Sequence, residues 1–311
     1  MGRTKIEEIQ YGSWGRCVSI SNEQVDLVAT LDIGPRIIRF GVIGKPNMFF
    51  EDTARVANIA SEDRSAFNGD IWYLYGGHRL WTSPEAAPRS YYPDNHPVQY
   101  ELVENGVLLK PDPEKWTGNQ KEIEITLDPD SSNVTVTHRV KNIGAWPMTF
   151  AAWALSVMSP GGVEIVPQTQ TDTGLLGNRI LTLWPYAKMN DSRVYWGEKY
   201  IRLMQDVSAQ GPFKFGSTNE DGWATYFNHG CMFVKYYKHD NNASYPDYGV
   251  SFETYTNPLM LEVETLSPLT EVMPGNTLTH VEQWQLFDGV SVPSTDEDEI
   301  TQTIQKYITT K

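Results

Sequence analysis

Residues 122–127 read Glu122-Ile123-Glu124-Ile125-Thr126-Leu127, and residues 133–141 read Asn133-Val134-Thr135-Val136-Thr137-His138-Arg139-Val140-Lys141. Both alternate with a period of two. In the first, Ile123, Ile125 and Leu127 share one face. In the second, Val134, Val136, His138 and Val140 face one way, and Thr135, Thr137, Arg139 and Lys141 the other. Successive side chains of a strand point to opposite sides, so this pattern with β-branched enrichment predicts two half-buried strands. Asp128-Pro129-Asp130-Ser131-Ser132 between them has the composition of a turn.

The same signal recurs on either side. Val98–Glu104 and Val107–Lys110 flank Asn105-Gly106, which predicts a hairpin with a type I′ turn and positive φ at both central residues. Tyr226-Phe227 and Cys231–Tyr237 flank Asn228-His229-Gly230, a three-residue hairpin with glycine in the left-handed position. Further strands are expected at Leu27–Leu31, Arg36–Ile43, Met148–Met158, Ile180–Trp184, Val250–Tyr255, Met260–Thr265 and Leu278–Leu286. One helix is expected at the C-terminus. Ser294 and Glu297 have capping-box spacing, acidic residues 296–299 load the first turn, and Ile300, Ile304, Tyr307 and Ile308 fall on one face. It should pack against a sheet. Many short strands and one helix predict an all-β, large antiparallel sandwich or barrel rather than βαβ units. With no repeat, linker or composition break, residues 1–311 read as a single domain.

The chain has 39 acidic and 25 basic residues, a formal charge of −14. That surface repels phosphate backbones and anionic lipid, so neither nucleic acid nor a membrane is expected as a partner. No stretch has the apolar length of a membrane span. The first residues lack a secretory apolar segment, which points to a cytoplasmic location. Cys17 and Cys231 have no metal-ligand spacing, and a single bridge between them is left open. The chain has 10 Trp and 16 Tyr. Their flat apolar bodies with polar tips suit sugar faces as well as cores.

Three segments could carry chemistry. Tyr75-Gly76-Gly77-His78-Arg79-Leu80-Trp81-Thr82-Ser83-Pro84-Glu85 packs glycines, His, Arg, Trp and Glu into a turn-rich stretch, the composition of a binding site. Its competing reading is a loop in which Arg79 pairs with Glu85 and Trp81 plugs the core. In Leu261-Glu262-Val263-Glu264-Thr265-Leu266-Ser267-Pro268 the two glutamates project to one face, about 7 Å apart. If partly buried, one should have a raised pKa suited to proton transfer; otherwise both face water. Tyr245-Pro246-Asp247-Tyr248-Gly249, followed by Glu253, could line a pocket, although turn chemistry alone accounts for it. There is no Gly-x-Ser-x-Gly elbow, P-loop, dinucleotide fingerprint or HExxH, and no two histidines have metal-ligand spacing. No metal or cofactor is expected.

These segments resemble the galactose mutarotase (aldose 1-epimerase) superfamily. The resemblance lies in Leu261–Pro268 with Met273-Pro274-Gly275 and Glu282-Gln283-Trp284, in Leu31-Asp32-Ile33-Gly34-Pro35-Arg36-Ile37-Ile38-Arg39-Phe40, and in Val140-Lys141-Asn142-Ile143-Gly144-Ala145-Trp146-Pro147-Met148. The three are colinear and span most of the chain. The resemblance implies a supersandwich fold and an isomerase acting on a small carbohydrate, with Glu264 as general base. By the same resemblance His78 and Arg79 stand for the family's sugar-binding His and Arg, although Gly-Gly-His-Arg-Leu-Trp is not the family's local motif. With the segments above this gives His78 as the expected proton donor or hydroxyl partner, and Arg79, Trp81, Glu85, Arg36, Trp153, Tyr245, Asp247 and Glu262 as the expected sugar-binding residues. Glu264 and His78 should then face each other across a cleft. One departure stands out. Where the family carries its acid His, this chain has Phe150-Ala151-Ala152-Trp153-Ala154-Leu155-Ser156. A non-catalytic carbohydrate-binding protein of the same fold is therefore the alternative, and an accessory domain of a lyase or glycosidase is a third.

Overall fold

The protein is described by a computed structural model over residues 3–59 and 70–308. Two large antiparallel sheets dominate it. Lys5–Gln10, Arg16–Ser21, Val25–Thr30, Ile37–Val42, Gly77–Ser83, Met148–Met158, Leu261–Leu266, Phe252–Thr256, Phe213–Ser217 and Leu181–Leu183 lie side by side in that order, with Thr270–Val272 paired to the edge of Met148–Met158. The second sheet runs Val194–Trp196, Tyr200–Met204, Val163–Pro167, Trp223–Asn228, Cys231–Tyr237, Thr277–Asp288, Val134–Asn142, Asn119–Leu127, Gly106–Lys110 and Gln99–Val103.

The inward faces follow the alternation of the sequence. Ile123, Ile125, Leu127, Val134, Val136 and Val140 are all buried in the core between the sheets. At its centre Phe40 and Phe49 from one side meet Phe233 and Trp284 from the other, ring centres 5.6–6.3 Å apart. Large edge-to-face rings fill the layer that a sandwich of this span must close. The C-terminal helix, Glu297–Tyr307, covers the outer face of the second sheet, where Ile300, Ile304 and Ile308 pack with Ile165, Trp223 and Val234.

Local chemistry departs from expectation at several points. The first hairpin closes one residue early. Val103 pairs with Gly106, so Glu104-Asn105 is the loop, and of the expected two residues only Asn105 has positive φ, +55°. Gly106 is needed for close approach instead: a Cβ there would lie 1.8 Å from the Ile125 carbonyl oxygen. The type I′ turn occurs at His229-Gly230, with φ of +53° and +69°, a two-residue rather than three-residue loop. The helix is capped by Asp296, whose side chain accepts from the Asp298 and Glu299 amides, while Ser294 bonds the Glu299 carboxylate. Cys17 and Cys231 are both buried free thiols. No helix among the described residues is long and apolar enough to cross a membrane.

Candidate functional site

The outer face of the first sheet carries a cleft of about 410 Å³. Its floor comes from five adjacent strands, and register places the side chains. Trp153 sits opposite Trp81, and Leu155 lies between Arg79 and Glu264. Glu264 is directly across from Glu253, and Tyr255 lies between Glu262 and Lys214. Each of these residues has the parity that turns it away from the core. The walls are aromatic: Trp72, Trp81, Tyr91, Trp153, Trp184 and Tyr186. Trp81 is the hub, 5.3–5.4 Å from the rings of Trp72, Tyr91 and Trp153. Asn58, Arg79, Glu85, Lys214, Asn257 and Glu262 supply the polar groups.

Two cations lie on the floor. Arg79 donates from Nη2 to Glu262 Oε1 at 3.0 Å, with its guanidinium carbon 4.5 Å from the centre of the Trp81 ring. It does not pair with Glu85, which accepts from the Tyr91 hydroxyl. Lys214 lies between Trp153 and Trp184, 4.7 and 4.5 Å from their ring centres, and its ammonium contacts Glu253 at 2.7 Å and Glu264 at 3.3 Å. Those two carboxylates would repel each other across the strand pair, and Lys214 offsets that repulsion. Burial and the two carboxylates act on Lys214 in opposite directions, and the carboxylates prevail, so its pKa is raised and it stays charged.

Glu264 is fully buried. Its Oε2 accepts from Trp153 Nε1 at 2.8 Å and from Lys214, while Oε1 has no partner among the described residues. Burial lifts its pKa to about 7; Lys214 opposes the shift and Glu262 adds to it. A carboxyl poised there can exchange a proton near neutral pH. It does not itself line the cleft but contacts Trp153 and Lys214, which do. Glu253 is also raised, first by burial, with Lys214 opposing.

The structure brings Arg79, Trp81, Glu85, Trp153 and Glu262 to the cleft and Glu264 to its underside. It does not bring the others. The strand Gly77–Ser83 and the strand Leu261–Leu266 are not opposite walls. They flank Met148–Met158 in one sheet. His78 therefore points to the far side of that sheet, fully buried between the sheets, and does not face Glu264. Arg36 is buried near Tyr75, bonded to the Pro35 carbonyl and the Asp94 carboxylate, and lines a separate small cavity. Tyr245 stacks on His239 and accepts the Asp240 amide. Asp247, at φ +50°, accepts from Ser83 Oγ at 3.4 Å.

The core end of His78 belongs to a polar network. His138 Nδ1 must be protonated, because its partner 3.1 Å away is the His280 carbonyl. Neutral His138 then accepts at Nε2, so His78 donates from Nε2 at 2.7 Å and accepts at Nδ1 from Ser156 Oγ. Thr265 donates to Glu282 Oε1 at 2.5 Å and accepts from His280 Nε2. Glu282 also receives Trp284 Nε1 and the ammonium of Lys235 at 3.0 Å. Lys235 completes its set on the Val263 and Ala154 carbonyls. Burial lowers the pKa of all three histidines, holding them neutral. His78, His138 and Glu282 bring ligand-type atoms within 4.8 Å of one another. Their donors and acceptors match one another without a cation, and Lys235 already neutralises the only carboxylate, so hydrogen bonding accounts for the cluster.

Sequence reading missed Lys214, Glu253's partnership with it, and the walls Trp72, Tyr91, Trp184 and Tyr186. Phe213-Lys214-Phe215 reads as an ordinary strand with a solvated lysine. Only tertiary packing reveals that its outer face is roofed by Trp184.

No protein-family model matches the chain, and no curated protein matches it. Solved structures do. A TPR-domain containing protein from Parabacteroides distasonis ATCC 8503 is 14% identical with a TM-score of 0.59, covering 90% of this chain and 49% of that one. This chain thus spans about half the length of that structure. A "putative aldose 1-epimerase" from Klebsiella pneumoniae subsp. pneumoniae MGH 78578 is 11% identical with a TM-score of 0.58, over 97% of this chain and 86% of that one. A galactose mutarotase-like protein from Lactobacillus casei ATCC 334 is 9% identical with a TM-score of 0.51, over 87% and 99%. At such identities the likeness is one of fold: the chain has the galactose mutarotase-like β-sandwich, as the sequence resemblance implied.

Proposed function

We propose that this protein holds a sugar ring in the aromatic cleft and acts on its anomeric centre as an aldose 1-epimerase-like isomerase, with Glu264 as the proton-transfer group. The observation that carries the reading is a carboxyl with a pKa of about 7 set directly under a Trp-walled cleft. Trp81 and Trp153 offer flat faces for the C–H side of a pyranose. Arg79, Glu85 and Glu262 offer hydroxyl partners.

In this reading Glu264 takes the proton from the anomeric hydroxyl. Its electron pair forms the carbonyl, the bond from the anomeric carbon to the ring oxygen breaks, and the ring oxygen is left bearing charge. Lys214, next to Glu264, is the cation placed to stabilise that oxygen. Its raised pKa suits it to electrostatic stabilisation better than to giving up a proton, so water supplies the proton. Rotation of the carbonyl and reversal of the steps give the other anomer. The base must come within about 3 Å of the hydroxyl, which requires Lys214 to move off Glu264.

Binding without turnover is the second reading. It is favoured by the complete enclosure of Glu264 and by the absence of any described histidine from the cleft lining. Exchange NMR on a panel of aldoses separates the two. Catalysed anomer exchange that Glu264→Gln abolishes supports the isomerase. Saturable binding unchanged by Glu264→Gln, with exchange at the uncatalysed rate, replaces it with the binder.

A further inference from the structure

We propose that the cleft selects a sugar bearing an acidic group, whose anionic oxygens Arg79 receives at the cleft floor. The inference rests on the reading of the cleft as a sugar site and names the class of sugar. Arg79 is 2% exposed, yet among the described residues only Nη2 of its three nitrogens has a hydrogen-bond partner; Nε and Nη1 have none there. Beside it Trp72 Nε1 is also buried and unpartnered, with the guanidinium carbon 5.6 Å from the Trp72 ring centre. Arg79 and Trp72 line the same cleft. Unmet N–H donors of Arg79 and Trp72 thus lie side by side in the cleft.

A buried donor left unpaired costs about 1–3 kcal/mol, more when charged. A ligand that meets these donors recovers that cost, and an anionic oxygen does so best, since charge-assisted bonds are the strongest of their kind. Arginine's planar fork matches carboxylate or phosphate, whereas Lys214 has its charge committed to Glu253 and Glu264. Glu262 holds a single edge of Arg79 and leaves Nε and Nη1 for a second anionic group. The floor therefore has room for one more negative charge, even in a chain of formal charge −14.

The test is calorimetric titration of the intact protein with D-glucuronate and D-galacturonate, their methyl esters, glucose, galactose and glucose 6-phosphate. The acids are expected to bind at least about tenfold more tightly than the esters and the parent hexoses. That preference should shrink with added salt and vanish in Arg79→Gln. Tighter binding of the phosphate than of the uronates supports the acidic class and identifies phosphate as its source. Equal affinity for acid, ester and parent hexose overturns the proposal and leaves the sugar site standing. No saturable binding by any member overturns the sugar reading itself. The ligand series is decisive on wild-type protein, so it does not depend on the variant folding.

Discussion

His78 and Arg79 are consecutive in the chain and lie on opposite faces of one sheet: His78 Nε2 is 2.7 Å from His138 Nε2 in the core, and Arg79 Nη2 is 3.0 Å from Glu262 Oε1 in the cleft. The strand's alternation separates them into two functions. His78→Ala should remove about 2–4 kcal/mol of stability, through a cavity and the unpaired His138 and Ser156. Sugar affinity per folded molecule should stay within twofold of wild type. Urea unfolding and calorimetry measure the two quantities. A loss of affinity with unchanged stability would return His78 to the ligand site.

Glu264 sets a pH dependence. A general base works when deprotonated, and burial raises this carboxyl to about 7. Anomer exchange should therefore rise about tenfold per pH unit on the acid side and level off above pH 7. Rates measured by NMR between pH 5 and 9 check it. A profile already flat at pH 5 would mean that the group in control has an ordinary carboxyl pKa.

Lys235 and Glu282 form a fully buried ion pair at 3.0 Å. Lys235→Met strands the Glu282 charge and should cost about 3–5 kcal/mol. Adding Glu282→Gln should restore part of this, because no charge is then stranded and the amide oxygen can still accept from Trp284. A double-mutant cycle by denaturant unfolding reads the coupling. Simple additivity would show that the two charges do not depend on each other.

Gly106 and Gly230 follow turn residues in two hairpins but for different reasons. Gly106→Ala drives a Cβ to 1.8 Å from backbone oxygen, so the strands must part, at a cost of about 2–3 kcal/mol or more. Gly230→Ala meets nothing within 4 Å and suffers only from φ of +69°, about 1–2 kcal/mol. Thermal unfolding of the two variants should rank them in that order.

The amino-acid order alone determined the all-β architecture. Alternation at residues 122–127 and 133–141 sorts side chains between core and exterior wherever the chain pairs, and it even placed His138 among the apolar residues that turned out to be core. It also put Glu262 and Glu264 on one face, which the strand retains. It could not say which face of Gly77–Ser83 meets the cleft. A segment dense in His, Arg and Trp looks like one site, yet its period of two sends His78 inward and Arg79 and Trp81 outward. Lys214 was invisible for a related reason: a lysine between two phenylalanines reads the same whether its outer face meets water or a tryptophan. Neighbours along a strand are fixed by the chain. Neighbours across a sheet depend on which distant strands pair and in what register, and only the folded molecule supplies those.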